Sequence, residues 1–371
     1  MATNPMDLPS AELEQVSATE VLYRGRRWTY FGGSDYFRLS WNRQVRRSIS
    51  QALQRWGPNV AAGRTTTGNH PIYGELELAL ARSMGFPAAV LTSTGYLAPL
   101  VAVQGLAAQV THVLMAETTH GCLQDAARLL GIPCLGFSGT DLTSLDRVLK
   151  QLGRGAYPLL ISHGLSPLEG TVPPLGEFLS RLPSQAWMIV DDAHGVGTLG
   201  KRGRGVLEVL GLKDPRIVLT GTLSKALGCY GGFVLGSREL KEQIFNHSTI
   251  FQGSTAPPPP WVAGALTSLS CLEKHGPVWR QALARRIHLL RSVLKEPLRR
   301  AAPGPAFTVL PATAREVMKL ERQLMSAGIY PSRIRYAQGP SAHFYRFAPS
   351  TAHSLKEITA LAEIVAEFTT R

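Results

Sequence analysis

The sequence predicts an α/β protein whose larger part is a mainly parallel sheet with helices on both faces. Strand-like and helix-like segments alternate from about residue 45 to residue 250, as they do in consecutive β-α units. Two strand-like runs, at residues 187–190 and 216–219, each lead into a cluster of polar and small residues. After residue 260 the two kinds of segment are mixed, which predicts a smaller α+β part.

We expect three parts along the 371 residues. Residues 1–44 form an N-terminal arm with a hairpin, because Gly25 separates two short runs of apolar and aromatic residues. Residues 45–260 form the large domain, and residues 261–371 form a small C-terminal domain. The change falls at the proline-rich run 252–259, since each proline removes a backbone donor and prevents regular structure.

Composition is that of an ordinary enzyme, with 44% hydrophobic and 18% charged residues. No apolar run approaches the roughly 18 residues that span a bilayer, and no secretory signal is visible. The four cysteines form no CxxC pair, which indicates reduced thiols in the cytoplasm. The net charge of +13 is scattered, so we expect no nucleic-acid partner; a basic surface also attracts phosphates or acidic proteins.

Periodicity places the elements of the large part. Helices are predicted at residues 45–56 and 75–84, and strands at residues 113–116 and 159–164. The segment 88–96 is a strand that runs into a turn of small residues, and a helix follows. A helix N-terminus offers free N–H groups and the positive end of a dipole, so this turn suits a phosphate.

In the C-terminal part, apolar residues at helical spacing predict two helices, and a capping box opens a third. The apolar positions are Leu283, Ile287, Leu290 and Leu294, in a helix that ends at Pro297, and then Val317, Leu320 and Leu324. The capping box is Ser354 with Glu357. Strand-like runs at 307–310 and 343–347 lie between these helices.

The strongest chemical signal is a lysine placed near a carboxylate and an imidazole at strand ends. Lys225 follows one strand and has small neighbours, including Gly231 and Gly232, so a large flat group can approach the backbone. A desolvated lysine there is an amine nucleophile toward a carbonyl. Asp191 and His194 follow the other strand. This set suits pyridoxal 5'-phosphate, since the lysine forms the Schiff base and Asp191 keeps the pyridine nitrogen protonated.

These motifs and their order resemble those of the α-oxoamine synthases among the fold-type I pyridoxal phosphate enzymes. The resemblance runs from about residue 23 to the C-terminus and is strongest between residues 35 and 260. It implies an aspartate-aminotransferase-like fold and a homodimer with active sites at the subunit interface. It also implies condensation of an amino acid with an acyl thioester of coenzyme A or an acyl carrier protein. Loss of the carboxylate would then give an α-amino ketone.

The resemblance adds further contacts to the cofactor. His120 would pack on the pyridine ring, and His194 would hydrogen-bond the phenolic oxygen. The phosphate ligands that it implies are Gly95, Tyr96, Thr222 and, from the partner subunit, Thr255.

Three of the candidate substrate-binding residues also come from the resemblance. Ser34 stands where the family has an asparagine, in a motif at the entry to the site. Arg64 lies in a loop of small residues that resembles a family loop at the rim of the active site. Arg335 matches the arginine that binds the substrate carboxylate, a task that suits a guanidinium fork. Arg333 and Arg346 are the alternatives to Arg335.

His163 is the fourth candidate, and it stands where the family has a glutamate. Imidazole is neutral or positive near pH 7 and can donate a hydrogen bond, which an ionised carboxylate cannot. We therefore predict that His163 changes the substrate preference. The alternative is that His163 fills the pocket and hydrogen-bonds a backbone group.

Three other functions stay open beside the condensing enzyme. One is an aminotransferase or another lyase on the same fold. Another is a non-catalytic family member that binds a cofactor or a partner subunit. The last is a basic nucleic-acid-binding protein. The sequence predicts no metal site.

Overall fold

The computed structural model describes residues 11–117, 119–153, 155–166, 170–292, 303–334 and 344–368. Its strands are β1 (Glu14–Gln15), β2 (Glu20–Tyr23), β3 (Arg26–Thr29), β4 (Ala88–Thr92), β5 (His112–Ala116), β6 (Cys134–Phe137), β7 (Pro158–His163), β8 (Trp187–Asp191), β9 (Ile217–Thr222), β10 (Gly232–Gly236), β11 (Phe307–Val309), β12 (Arg333–Ile334) and β13 (Phe344–Phe347). Its helices are α1 (Arg43–Trp56), α2 (Pro71–Met84), α3 (Leu97–Leu106), α4 (Gly121–Leu129), α5 (Leu142–Gln151), α6 (Leu175–Arg181), α7 (Val206–Val209), α8 (Arg238–His247), α9 (Thr249–Gly253), α10 (Pro259–Ser292), α11 (Ala314–Ser326) and α12 (Leu355–Ala366).

The central feature is a sheet whose described strands follow the order β4-β10-β9-β8-β7-β5-β6. The pairs from β9 to β6 are parallel, which confirms the predicted mainly parallel sheet. Strand β10 runs antiparallel to both β4 and β9 and was not predicted. The glycine pair at its start is typical of a turn, yet every residue of β10 is buried within the sheet.

Helices cover both faces of this sheet. Successive strand residues point to opposite sides, so each strand contributes side chains to both faces. Leu160, Met188 and Leu219 belong to a core shared with α1 and α2, whereas their neighbours Leu159 and Ile189 belong to a core shared with α3 and α4. Both faces are therefore apolar, as expected for a parallel sheet buried between two helical layers. Among the described helices, none has the length and apolar character needed to cross a bilayer.

Two smaller sheets complete the described chain. The predicted hairpin is confirmed as β2 and β3, and β1 adds a third strand. The C-terminal sheet has the order β11-β13-β12 and packs with α11 and α12 on a core that includes Phe31 and Leu290. The predicted capping box at Ser354 is present, and a second one at Thr313 begins α11. The division into three parts at residues 44 and 260 stays a prediction.

The proline-rich run is shorter than predicted. Gln252 and Gly253 end α9, and Pro259 begins α10, so only residues 254–258 of that run lack regular structure. A proline is tolerated in the first turn of a helix, because its missing N–H would have no partner there. Helix α10 is 34 residues long; the predicted continuation to Leu294 and Pro297 lies outside the described residues.

A buried carboxylate holds the strand that leads to the site. Glu77 of α2 has a side chain that is only 2% exposed. It accepts hydrogen bonds from the backbone N–H of Leu91 in β4 at 2.9 Å, from Lys241 of α8 at 2.6 Å and from Arg64. This cluster ties α2, α8 and the Arg64 loop to β4, one turn before α3 begins.

We expect Glu77→Ala to lower the free energy of unfolding by about 3–5 kcal/mol, because it leaves the buried Arg64 without its counter-charge. Urea denaturation followed by circular dichroism measures the change. Glu367→Ala is the control: Glu367 pairs with Lys319 at 2.6 Å, but both side chains are about half exposed. Its loss should cost no more than about 1 kcal/mol. Equal costs for the two variants would contradict the role given to Glu77.

Candidate active site

The carboxyl ends of the central parallel strands open into a cavity of about 400 Å³. This volume suits a small-molecule ligand. The predicted residues that line the cavity are Gly95, Tyr96, His120, His163, Asp191, His194, Thr222 and Lys225. The fold therefore brings together residues that are far apart in the sequence, because parallel strands end at one edge of the sheet.

Lys225 lies in the loop between β9 and β10. Backbone hydrogen bonds close this loop, from Leu223 N to Gly231 O at 3.0 Å and from Gly228 N to Lys225 O at 2.9 Å. Burial lowers the pKa of the Lys225 amine to about 8, while the carboxylate of Asp191 opposes this shift. A substantial fraction of the amine is then neutral near pH 8 and can attack a carbonyl carbon.

Asp191 is the last residue of β8 and places its carboxylate in the cavity. Thr220 on the neighbouring strand donates to its Oδ1 at 3.3 Å, and Cys122 Sγ lies 3.9 Å from its Oδ2. Burial raises the pKa of Asp191, and the charge of Lys225 opposes that rise. The carboxylate is thus placed to pair with a protonated ring nitrogen.

Asp192 points away from the cavity, because adjacent strand-end residues face opposite sides. It is fully buried and accepts a hydrogen bond from Val206 N at 2.7 Å. Burial raises the pKa of Asp192 to about 8, so this carboxyl is largely neutral at pH 7. Two neighbouring aspartates therefore have different environments, and only Asp191 lines the cavity.

His194 is held from behind by a tyrosine that was not among the predicted site residues. The hydroxyl of Tyr36 lies 2.6 Å from His194 Nδ1. Burial raises the pKa of Tyr36 to about 12, so its O–H is present to donate to Nδ1. Burial also holds the pKa of His194 well below its usual range, so the imidazole is neutral and its proton lies on Nε2.

His120 caps the N-terminus of α4 with its side chain. Its Nδ1 accepts from Cys122 N at 3.3 Å, and Cys122 Sγ lies 3.1 Å from the same nitrogen. Burial lowers the pKa of His120, which favours the neutral ring. Because Nδ1 accepts a hydrogen bond, the proton of the neutral ring lies on Nε2.

The turn before α3 forms a cradle that only small residues permit. A Cβ atom added to Gly95 would lie 2.6 Å from the Cβ of Thr222, and one added to Gly232 would lie 2.6 Å from the Cα of Gly95. The backbone of the turn therefore packs directly on β9 and β10 at the N-terminus of α3. A helix N-terminus of this kind favours an anionic group such as phosphate.

The chemistry of this set fits pyridoxal phosphate. The cradle at Gly95 suits the phosphate, Lys225 suits the aldehyde, and Asp191 suits the ring nitrogen. His120 and His194 line the space between them. The fit rests on the donor types and on the close packing of the backbone at the glycines.

Two of the predicted substrate-binding residues lie apart from this cavity, and their role in substrate binding stays a prediction. Among the described residues, the cavity wall includes neither Ser34 nor Arg64. Ser34 lies two residues before Tyr36, which contacts His194. Arg64 is buried; its Nε donates to Asn69 at 3.1 Å and its terminal nitrogens to Glu77, so the guanidinium is used within the fold.

Two further predicted residues have no tested contact. The carbonyl of Thr255 accepts from Ser93 Oγ at 2.7 Å, near the start of α3 and outside the cavity wall. Its predicted place in the partner's site stays a prediction. Arg335 lies outside the described residues.

Arg346 of β13, one of the two alternatives to Arg335, lines the cavity. Its positive charge contributes to the lowered pKa values of Lys225 and His194. Cys122 and Tyr230 also line the wall and were not predicted. A signal for Arg346 exists in the sequence, since it is the one charged residue in an otherwise apolar and aromatic strand.

Comparison with known proteins adds a family and full-length relatives. A family model described as aminotransferase class I and II matches residues 31–365. The 8-amino-7-oxononanoate synthase of Methylobacterium radiotolerans is 34% identical over 364 residues, which is 96% of this chain and 92% of the relative. The match to the family model therefore includes all the residues that line the cavity.

Solved structures of serine palmitoyltransferase are similar to this chain over nearly its whole length. Serine palmitoyltransferase of Sphingomonas wittichii is 26% identical, with a TM-score of 0.87, over 95% of this chain and 90% of that chain. A structure described as SPT with PLP is 25% identical, with a TM-score of 0.90, over 99% of this chain and 93% of that chain. The predicted fold-type I architecture is confirmed.

We expect the rate at which Lys225 captures added pyridoxal phosphate to rise about tenfold per pH unit up to pH 8 and then to level off, because only the neutral amine reacts. Cofactor-free protein is mixed with pyridoxal phosphate, reduced with borohydride at intervals, and the Lys225 peptide is followed by mass. Lys225→Ala should show no active-site adduct. A rate that does not change between pH 6 and 9 would contradict the lowered pKa.

Proposed function

Because this chain belongs to the aminotransferase class I and II family, we propose that it is a pyridoxal phosphate-dependent enzyme that condenses an amino acid with an acyl thioester. The predicted α-oxoamine synthase relationship is confirmed by relatives and structural neighbours of that group. The observation that carries the proposal is the cavity in which Lys225, Asp191 and His194 meet at the ends of the parallel strands.

When bound, the cofactor supplies an electron sink for a carbanion at the α-carbon of the amino acid. Lys225 is the base that removes the α-proton, and a pKa of about 8 suits a base that works near neutral pH. Asp191 supplies the negative charge that keeps the ring nitrogen protonated. His194 presents Nε2–H to the cavity, held in that tautomer by Tyr36.

Arg346 binds the carboxylate of the amino acid in this proposal. It lines the same cavity as Lys225, and its guanidinium can form two parallel hydrogen bonds to a carboxylate. Arg333 is less suited, because it lies 3.5 Å from Glu321 and its side chain is only 10% exposed. Arg335 keeps its predicted role as a second candidate from the resemblance.

The acyl donor in this proposal is an anionic thioester, of coenzyme A or of an acyl carrier protein. The net charge of +13 supports this choice, since a basic surface attracts phosphates and acidic proteins. We also propose a cytoplasmic homodimer in which Thr255 contributes to the partner's phosphate site. Cross-linking and sedimentation measure the oligomeric state.

The function is tested by screening amino acids against acyl thioesters with purified protein and pyridoxal phosphate. One pair should release thiol and carbon dioxide together and give a product with the mass of an α-amino ketone. Formation of a keto acid without consumption of thioester would support an aminotransferase instead. Absence of cofactor binding would support the non-catalytic alternative.

We expect Asp191→Asn to keep the cofactor but to slow exchange of the amino acid α-proton in deuterated water by at least about tenfold. The reason is that loss of an opposite charge changes a neighbour's pKa by about 1–3 units. Asp192→Asn is a matched control, because Asp192 is buried, largely neutral and outside the cavity. Proton NMR measures both rates, and similar rates in the two variants would remove Asp191 from this role.

We expect Arg346→Met to raise the KM for the amino acid about 10- to 100-fold, because a charge-assisted hydrogen bond to the carboxylate is lost. The pKa of Lys225 should also rise in this variant, since Arg346 helps to lower it. Steady-state kinetics and the pH profile of cofactor capture measure these two effects. If Arg333→Met raises the KM and Arg346→Met does not, the assignment belongs to Arg333.

A further inference from the structure

We propose that His163 is a positioning residue that fixes His120 by accepting the hydrogen bond of its backbone N–H. His163 is the last residue of β7 and is 7% exposed. The backbone N–H of His120 donates to Nε2 of His163, and the two nitrogens are 3.2 Å apart. An imidazole nitrogen can accept this bond only when it carries no proton, so the proton of the neutral ring lies on Nδ1.

The His120 backbone needs this acceptor because the residue joins a strand to a helix. Its carbonyl accepts from Leu123 N at 2.9 Å, and its Nδ1 accepts from Cys122 N, so these two groups are committed to the first turn of α4. The N–H points the other way, toward the end of β7. His163 thus fastens the start of α4 to the sheet and sets where the His120 ring lies in the cavity.

A neutral imidazole provides an acceptor without adding a charge. In the parallel register, His163 lies opposite Asp191, and the same cavity holds Lys225 and Arg346. A carboxylate at position 163 would accept the same hydrogen bond but would place a second negative charge beside Asp191, while an imidazolium could not accept it. The geometry thus favours the alternative in which His163 bonds a backbone group over a charged contact to substrate.

The inference rests on the proposed function only where it concerns activity; the hydrogen bond itself can be tested without a substrate. His163→Leu removes the acceptor and fills the same space with an apolar side chain of similar size. His163→Gln keeps an acceptor that can reach the same N–H, and it does not titrate. The pair therefore separates the hydrogen bond from the filling of space.

The first measurement is hydrogen exchange of the His120 amide in the full chain, with and without pyridoxal phosphate. We expect His163→Leu to lower its protection at least about fivefold, because a partly buried donor loses its partner. His163→Gln should stay within about twofold of wild type. A ¹⁵N spectrum of wild-type histidines, which needs no substitution, should show His163 protonated at Nδ1 and accepting at Nε2.

The second measurement is α-proton exchange with the amino acid found in the screen. His163→Leu should lower the rate several-fold with little change in KM, and His163→Gln should restore it. Unchanged His120 protection in His163→Leu, equal loss in both variants, or an Nε2–H proton in wild type would each overturn the proposal. If wild-type protein condenses no substrate pair but the hydrogen-exchange results for the His120 amide are as expected, the proposed function fails and this inference stands.

Discussion

The register of three parallel strands is the constraint on which the site depends. His163 of β7 lies opposite Asp191 of β8, and Asp191 lies opposite Thr220 of β9. A slip of one residue would turn Asp191 to the opposite face of the sheet and bring Asp192 to the cavity, since strand residues alternate between faces. The burial of apolar residues on both faces fixes this register. The packing of the core therefore also places the side chains of the cavity.

Within that register, burial and the charges of neighbouring groups set the protonation state of each cavity side chain. Asp191 is the negative group, Lys225 and Arg346 are the positive ones, and burial keeps His120 and His194 neutral. Arg346 reaches the cavity from the C-terminal sheet, on a strand far along the chain from Lys225. The reactivity of the lysine is therefore set jointly by two parts of the fold.

Some of this arrangement could be predicted from the sequence, because strand ends and short motifs carry local signals. Lys225 and Asp191 follow recognisable strands, and their meeting follows from the parallel pairing of β8 and β9. The turn at Gly95 follows β4, which joins the sheet through the antiparallel strand β10 that was not predicted. Tyr36 lies 158 residues from His194 in the sequence, and no local pattern links them. The contact between Arg64 and Glu77 could not be predicted, because an arginine in a loop of small residues carries no local signal of a buried partner on α2.

The segment from Phe31 to Tyr36 has a consequence for how the protein is made. The Phe31 carbonyl accepts from Ala348 N at 2.6 Å, the Tyr36 carbonyl accepts from Thr351 N at 2.9 Å, and the Tyr36 hydroxyl supports His194. Synthesis on the ribosome proceeds from the N-terminus, so this early segment waits for partners made more than 300 residues later. The contacts that hold the Tyr36 segment behind His194 can therefore form only after residue 351 has been made.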